Sequence, residues 1–262
     1  MEKEKLITRI DEIRAYVTRE LVAAGVTLPQ ESVLPCRAVP GQKLASYFDH
    51  TLLKPEATRE AFEKLYQEAI LWKTYSVCIP PNRVREGVGR LKGLEVKVCT
   101  VIGFPLGYGE ASCKAEEVRI AREAGCDEFD TVIPIGLLKE GNIPAVFLDV
   151  YSVVQAAQGK LVKVILETCL LTEEEKLLAG VLALLAGAHM LKTSTGFSSK
   201  GATVEDVALL RVLAGKHHGV KAAGGIRDYA TVRAMIDAGA DRIGASATPT
   251  ILSEAEGRRT EP

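Results

Sequence analysis

Two lysines at the ends of short apolar segments carry the strongest chemical signal in this chain. Lys192 lies in HMLKTSTG, and Lys221, 29 residues further on, lies in GVKAAGGIR. A glycine turn follows each segment. An amine buried close to a second cation loses its proton more readily than an amine in water, and a neutral amine condenses with carbonyl compounds. The pair therefore predicts covalent imine chemistry on a carbonyl substrate.

Two aspartates in similar positions could support this chemistry. Asp130 lies in EFDTVIPIG and could exchange protons as a general acid and base. Asp49 opens DHTLLKP and could orient hydroxyl groups or a lysine, although a buried structural hydrogen bond is the alternative. Two lysines and one acid could also form an ion-pair network that only fills the interior. That arrangement leaves a surplus buried charge, which is costly, so we favour a site.

The elements that would position these groups alternate regularly along the chain. Short β-rich segments are followed by longer segments with a helical pattern, which predicts a parallel sheet. The predicted strands are 44–51, 74–80, 96–104, 128–136, 160–168, 189–194, 219–225 and 241–246. The predicted helices include 112–124, 144–157, 173–186, 204–214 and 229–238. Eight such units favour an α/β fold, a (β/α)₈ TIM barrel. The alternative, an open doubly wound sheet, normally has GxGxxG after its first strand, and DHTLLKP has no glycine.

A barrel of this kind would bring the candidate residues together. Active groups lie at the carboxyl ends of the strands. Asp130 and Lys192 would face inward from alternate strands, and Lys221 would lie on the strand next to Lys192, about 4.8 Å away. On the predicted strand 160–168, we expect Lys163 and Glu167 to form an ion pair that supports the barrel.

Small residues after the last three strands predict a separate anion site. Glycine lets backbone N–H groups approach a phosphate closely, and barrels commonly bind phosphate in this region. Tight turns without a ligand are the alternative reading. The candidate phosphate-binding residues are Gly196, Gly224, Gly225, Gly244 and Ser246.

Six segments in chain order resemble the deoxyribose-phosphate aldolases, a family of class I (Schiff-base) aldolases, and the resemblance covers residues 44–253. The segments are DHTLLKP (49–55), KVCTVIGFPLG (97–107), DEFDTVIPIG (127–136), KVILET (163–168), LKTSTGF (191–197) and VKAAGGIR (220–227).

The resemblance implies that Lys192 forms the imine and that Lys221 and Asp130 donate and accept protons. It also implies cleavage of 2-deoxy-D-ribose 5-phosphate, without a cofactor or a metal, by a dimer or tetramer of identical chains. Departures from the family pattern are Phe129 and Thr131 around the acid, Ser198 and Ser199 in the loop after LKTSTGF, and Ala247 after Ser246.

The N-terminal part of the chain is predicted to precede the barrel as a separate helix and linker. Residues 1–24 have the pattern of an amphipathic helix, and 28–42 are rich in proline, which predicts a helix and linker over 1–42 and a catalytic barrel over 43–262. The apolar face of this helix could pack on its own domain or form a subunit interface, and both remain open.

Composition excludes several classes of protein. A net charge of −1 gives no electrostatic case for a nucleic-acid partner. The longest mostly apolar stretch, 181–191, is too short to cross a bilayer, and the N-terminus lacks an apolar signal core. The six cysteines show no CxxC pair or zinc spacing, which predicts reduced thiols in the cytoplasm and no structural metal.

Two other functions remain open at this point. A phosphate-binding barrel isomerase would use a glutamate or histidine base instead of two lysines at strand ends. A non-catalytic barrel could use the N-terminal helix as an interaction module, although an intact set of Asp130, Lys192 and Lys221 counts against it.

Overall fold

A computed structural model describes residues 2–29 and 43–257. The predictions for 30–42, which include most of the linker and Cys36, and for 258–262 lie outside the described residues. Within the described ranges, no helix has both the length and the apolar composition needed to span a bilayer.

Eight parallel strands close into a barrel, so the prediction of a (β/α)₈ barrel is confirmed and the open sheet is wrong. Each strand pairs with its neighbours in sequence, and the first strand pairs with the last. The strands are β1 (Phe48–Thr51), β2 (Ser76–Ile79), β3 (Lys97–Ile102), β4 (Glu128–Val132), β5 (Leu161–Ile165), β6 (Met190–Lys192), β7 (Gly219–Ala223) and β8 (Arg242–Ala245).

The strands are shorter than the predicted segments. Leu44–Tyr47 forms a 3₁₀ turn before β1 instead of continuing the strand. β4 ends at Val132, and Pro134 then precedes a short helix. Proline has no N–H to donate to a β-ladder, and its fixed φ suits the start of a helix. The predicted segment 128–136 is therefore longer than the strand that it contains.

Helices cover the outside of the barrel, and all except the N-terminal helix follow a strand in the chain. Their bounds are α1 (Glu2–Ala23), α2 (Arg59–Trp72), α3 (Val84–Arg90), α4 (Ala111–Glu123), α5 (Ile135–Lys139), α6 (Ile143–Ala157), α7 (Glu173–Leu185), α8 (Val204–Ala214), α9 (Tyr229–Asp237) and α10 (Thr248–Ala255). The five predicted barrel helices agree with α4 and α6 to α9 within one residue at each end.

The N-terminal helix packs on its own barrel. Ile10, Ile13, Val17 and Leu21 of α1 are buried in the common apolar core, against α6, α7 and α8. Of the two predicted partners for this apolar face, the chain's own domain is therefore the one observed.

The apolar core lies between the strands and the helices, whereas the barrel interior is charged. Most barrels of this type fill their interior with branched apolar side chains. Among the described residues, seven acidic and basic side chains point inward and are at least nine-tenths buried. We call them the charged network: Asp49, Glu128, Asp130, Lys163, Lys192, Lys221 and Arg242.

Candidate active site

Asp130 is the centre of the charged network. Its Oδ2 accepts hydrogen bonds from Lys192 Nζ at 2.9 Å and from Lys221 Nζ at 2.7 Å. Its Oδ1 accepts from Lys163 Nζ at 2.9 Å. Burial by itself would raise the pKa of the Asp130 carboxyl, but the ammonium groups of Lys163, Lys192 and Lys221 hold it well below its usual range. The structure thus brings together the three residues that the sequence singled out.

Lys221 is held between two carboxylates. Its Nζ lies 2.5 Å from Asp49 Oδ2 as well as 2.7 Å from Asp130 Oδ2. Burial would lower the pKa of Lys221, but Asp130 and Asp49 raise it above the ordinary lysine value. Lys221 therefore carries its proton at neutral pH and can serve as a cation beside Lys192, its register partner on the neighbouring strand.

Asp49 anchors the other side of the network. Its Oδ1 accepts from Ser76 Oγ and from Arg242 Nη1, both at 2.7 Å. Burial would raise the pKa of Asp49, and Arg242 and Lys221 lower it far below the usual value. The contact with Lys221 fits the predicted role of orienting a lysine, and the hydrogen bond from Ser76 fits the alternative of a buried structural hydrogen bond.

Glu128 and Arg242 were not predicted as members of the network, and the predicted partner of Lys163 was wrong. Lys163 does not pair with Glu167; its Nζ lies 2.6 Å from Glu128 Oε2 and 2.9 Å from Asp130 Oδ1. Arg242 also contacts Glu128, at 3.3 Å. Four residues along a strand span about 13 Å, which is too far for an ion pair, and β5 itself ends at Ile165. Alternation in KLVKVI does place Lys163 inside a barrel, and this signal could have identified it.

The network holds four cations and three carboxylates when every group is charged. Lys163 and Lys221 each contact at least two carboxylates within 3 Å, whereas Lys192 contacts Asp130 alone. Lys192 is also the member that lines the open cavity at the carboxyl ends of the strands. Lys192 is therefore the amine of the network that a substrate can reach.

That cavity has a volume of about 330 Å³. Every predicted phosphate-binding residue lines it, as do two cationic side chains from the loops after β1 and β7, Lys54 and Arg227. Another cavity, of about 390 Å³, lies between α1 and the opposite end of the barrel and contains no member of the charged network.

Three of the phosphate-binding candidates present unused backbone donors. Gly196, Gly224 and Gly225 have φ of +85°, +89° and +77°, a region that favours glycine. Their N–H groups donate no hydrogen bond to another described residue. Ser246 is exposed at the rim of the cavity. Such donors at a concave site suit an anion.

The fourth glycine of the predicted phosphate site, Gly244, is required by packing against Lys221 and Ala223. It lies buried within β8, and a Cβ at this position would come 3.0 Å from Lys221 Cε and 3.0 Å from Ala223 Cβ. The missing side chain therefore makes room for the stem of Lys221. This requirement comes from packing across the closed barrel and has no local sequence signal.

Within the part of the chain that the structure describes, two groups of side chains could in principle ligate a metal. Cys78, Cys99 and Asp130 form one, and Asp49, Cys99 and Glu128 form the other. Their carboxylates already accept hydrogen bonds from lysine and arginine, and the cations of the network repel a metal ion. The absence of a catalytic metal remains a prediction.

Comparisons with known proteins agree with this geometry. The model of the DeoC/LacD family aldolases matches residues 43–253. A deoxyribose-phosphate aldolase from Streptococcus gordonii is 54% identical over 210 residues, which cover 80% of this chain and 96% of that protein. One from Coprothermobacter proteolyticus is 54% identical over 206 residues, covering 79% and 94%.

Solved structures give the same result. A tetrameric deoxyribose phosphate aldolase from Aeropyrum pernix superposes with a TM-score of 0.76 at 38% identity, covering 81% of this chain and 91% of that chain. A structure from Coccidioides immitis, whose assignment as a deoxyribose-phosphate aldolase is provisional, superposes with a TM-score of 0.82 at 34% identity over 98% of both chains.

Proposed function

The chain belongs to the DeoC/LacD family of aldolases, which are carbon–carbon lyases, and on this premise we propose its substrate and mechanism. It cleaves 2-deoxy-D-ribose 5-phosphate reversibly to D-glyceraldehyde 3-phosphate and acetaldehyde through a Schiff base on Lys192. The observation that carries the proposal is the placement of Lys192 at the floor of an open cavity, in contact with Asp130.

The reaction begins with attack of the neutral Lys192 amine on the C1 aldehyde. Protonated Lys221 contacts Asp130, which also contacts Lys192, so a second cation lies beside the attacking amine. The resulting carbinolamine loses its hydroxyl group as water, with a proton supplied by Lys221 through Asp130 and water. The product is a protonated imine, which withdraws electrons far better than the aldehyde.

Cleavage then uses the imine as an electron sink. Asp130 accepts the proton of the C3 hydroxyl, through water, and the C3 oxygen becomes the aldehyde oxygen of glyceraldehyde 3-phosphate. The electrons of the C2–C3 bond move onto the imine to give an enamine. Protonation at C2 and hydrolysis release acetaldehyde and restore the amine. General acid–base assistance of this kind is typically worth about 10²–10⁴-fold.

The phosphate of the substrate binds at the glycine-lined side of the cavity. The free N–H groups of Gly196, Gly224 and Gly225 support this placement. Lys54 and Arg227 add positive charge at the rim, which favours an anion over a neutral sugar.

Borohydride trapping tests the proposal. Reduction in the presence of acetaldehyde should attach a two-carbon group to Lys192, and Lys192→Ala should abolish both the labelling and the cleavage. Lys200→Gln, at an exposed loop position outside the cavity lining, serves as the matched control and should label normally. Labelling at another lysine would refute the assignment. No labelling at all would favour an isomerase or a non-catalytic barrel.

Assembly and location are also proposed. The Aeropyrum relative is a tetramer, and we expect this chain to form a homo-oligomer, which light scattering can test. A cytoplasmic location agrees with the free thiols of the five described cysteines. A division into an N-terminal helix and linker (1–42) and a catalytic barrel (43–262) agrees with the start of the family match at residue 43.

A further inference from the structure

Glu167 has an unusual backbone conformation at the mouth of the barrel. Three described residues other than glycine have positive φ: Lys73, Gln158 and Glu167. The first two are the C-cap residues of α2 and α6, where the left-handed conformation is common. Glu167, with φ 56° and ψ 61°, instead follows β5 beside the cavity. Strained backbone of this kind persists where the surroundings enforce it, and it concentrates at functional sites.

The Glu167 side chain is equally unusual, because it is a buried carboxylate without a cation. The residue is 2% exposed, and no lysine, arginine or histidine in the described ranges lies within ion-pair distance. Its oxygens accept hydrogen bonds from the backbone N–H of Thr195, at 3.3 Å, and from the Thr195 hydroxyl. Burying a carboxylate without a cation is costly, which indicates that Glu167 has a role at this position.

The bonds from Glu167 continue into the loop after β6. The Thr195 hydroxyl, which donates to Glu167, accepts the N–H of Phe197 at 3.0 Å. Gly196 lies between these two fixed residues, with its own N–H unused and its backbone close to Gly224. The loop therefore presents one wall of the cavity in a fixed geometry.

We propose that the hydrogen-bonded pair Glu167–Thr195, here called the mouth clamp, positions the Gly196 N–H for the phosphate of the substrate. Glu167 does not line the cavity, whereas Thr195 and Gly196 do. Glu167 is thus a positioning residue that acts through Thr195. The mouth clamp sets the preference for phosphorylated over unphosphorylated deoxyribose and leaves imine formation at Lys192 intact. This inference rests on the proposed function.

The test compares two substrates in four variants. Thr195→Val removes the hydroxyl at constant shape and Thr195→Ser keeps it; Glu167→Ala removes both acceptors and Glu167→Gln keeps one. We expect kcat/KM for 2-deoxyribose 5-phosphate to fall by about 10²-fold in Thr195→Val and Glu167→Ala, mainly through KM, since misplacement by about 1 Å can have this effect. For unphosphorylated 2-deoxyribose, and for borohydride trapping of acetaldehyde, we expect little change. Thr195→Ser and Glu167→Gln should keep most of the preference.

Two kinetic outcomes would overturn the inference. Equal losses for both substrates would mean that the clamp only supports the barrel, and an unchanged preference in Thr195→Val and Glu167→Ala would mean that it does not act on the phosphate. Calorimetric binding of inorganic phosphate gives a readout that needs no cleavage. If the unmutated protein cleaves neither sugar, the proposed function is wrong. The clamp then stands if phosphate binding weakens in the two disruptive variants, and it falls if phosphate binding is absent or unaltered.

Discussion

Replacement of Asp130 by asparagine should separate the catalytic part of the charged network from its structural part. The substitution keeps the shape of the side chain and removes one negative charge that contacts three ammonium groups at 2.7–2.9 Å. The network then holds four cations and two carboxylates. Leaving a buried charge without its partner typically costs about 3–5 kcal/mol. At roughly 2–4 °C per kcal/mol for a chain of this size, the melting temperature should fall by about 6–20 °C.

The loss of activity should be larger than stability alone explains. Asp130 is the residue proposed to move protons between Lys192, Lys221 and the substrate, and the loss of such a group typically lowers kcat by about 10²–10⁴-fold. The assay couples acetaldehyde release to an NADH-dependent reductase at a temperature where the variant is folded. Circular dichroism gives the melting temperature of the same preparation.

Glu128→Gln is the matched control. Glu128 also lies on β4, faces the same interior and pairs with Lys163 and Arg242, but it contacts neither Lys192 nor Lys221. We expect a loss of stability similar to that of Asp130→Asn, with most of kcat retained. If the two variants lose activity equally, or if Asp130→Asn keeps its activity, the reasoning about Asp130 is wrong.

The pH dependence of stability gives an independent check on Asp130. Its pKa in the folded protein lies well below the usual carboxyl value. The carboxylate therefore contributes stability above its unfolded pKa of about 3.9, and this contribution disappears as the pH falls through the lower, folded pKa. The stability difference between the unmutated protein and Asp130→Asn should persist down to about pH 4 and shrink below it. A difference that vanished already at pH 6 would contradict this.

Three further predictions concern packing and charge at the site. Gly244→Ala should displace Lys221, whose Cε would lie 3.0 Å from the new Cβ, and should lower kcat by about 10–10²-fold; unchanged kinetics would refute the contact. Gly201→Ala places a Cβ 2.1 Å from the Gly224 carbonyl oxygen and should weaken phosphate binding, whereas Gly109→Ala, in open space, should not; calorimetry distinguishes them. Lys221→Met should lower stability at neutral pH. Because the pKa of Lys221 is raised in the folded protein, its contribution to stability is present below the unfolded pKa of about 10.4 and is lost as the pH rises through the folded value. Thermal melts should therefore show a smaller difference in melting temperature between the unmutated protein and Lys221→Met at pH 11 than at pH 7.

The sequence was sufficient for the fold class because its signals are local. Segments of β-rich and helical pattern alternate eight times, and each pattern reflects contacts of one element with its immediate surroundings. Strand alternation then places Asp130, Lys192 and Lys221 inside the barrel, and the glycines after β6 and β7 indicate an anion site beside them. Strand ends were less well predicted, because a proline or a tight turn stops a ladder inside an apolar run, as Pro134 does after β4.

The surroundings of these residues were decided only by barrel closure. Pairing of β1 with β8 brings Arg242 to Asp49, and the register of β4 against β5 sets Lys163 opposite Asp130. The left-handed turn at Glu167 redirects a carboxylate that strand alternation would have placed on the same face as Lys163, about 13 Å further along the strand. These contacts join residues that are distant along the chain. They depend on the stagger of all eight strands, which no local pattern encodes. The sequence by itself thus determined which groups point into the barrel, while tertiary structure determined which charges meet, because ion pairs depend on distances of a few ångströms that only the closed sheet fixes.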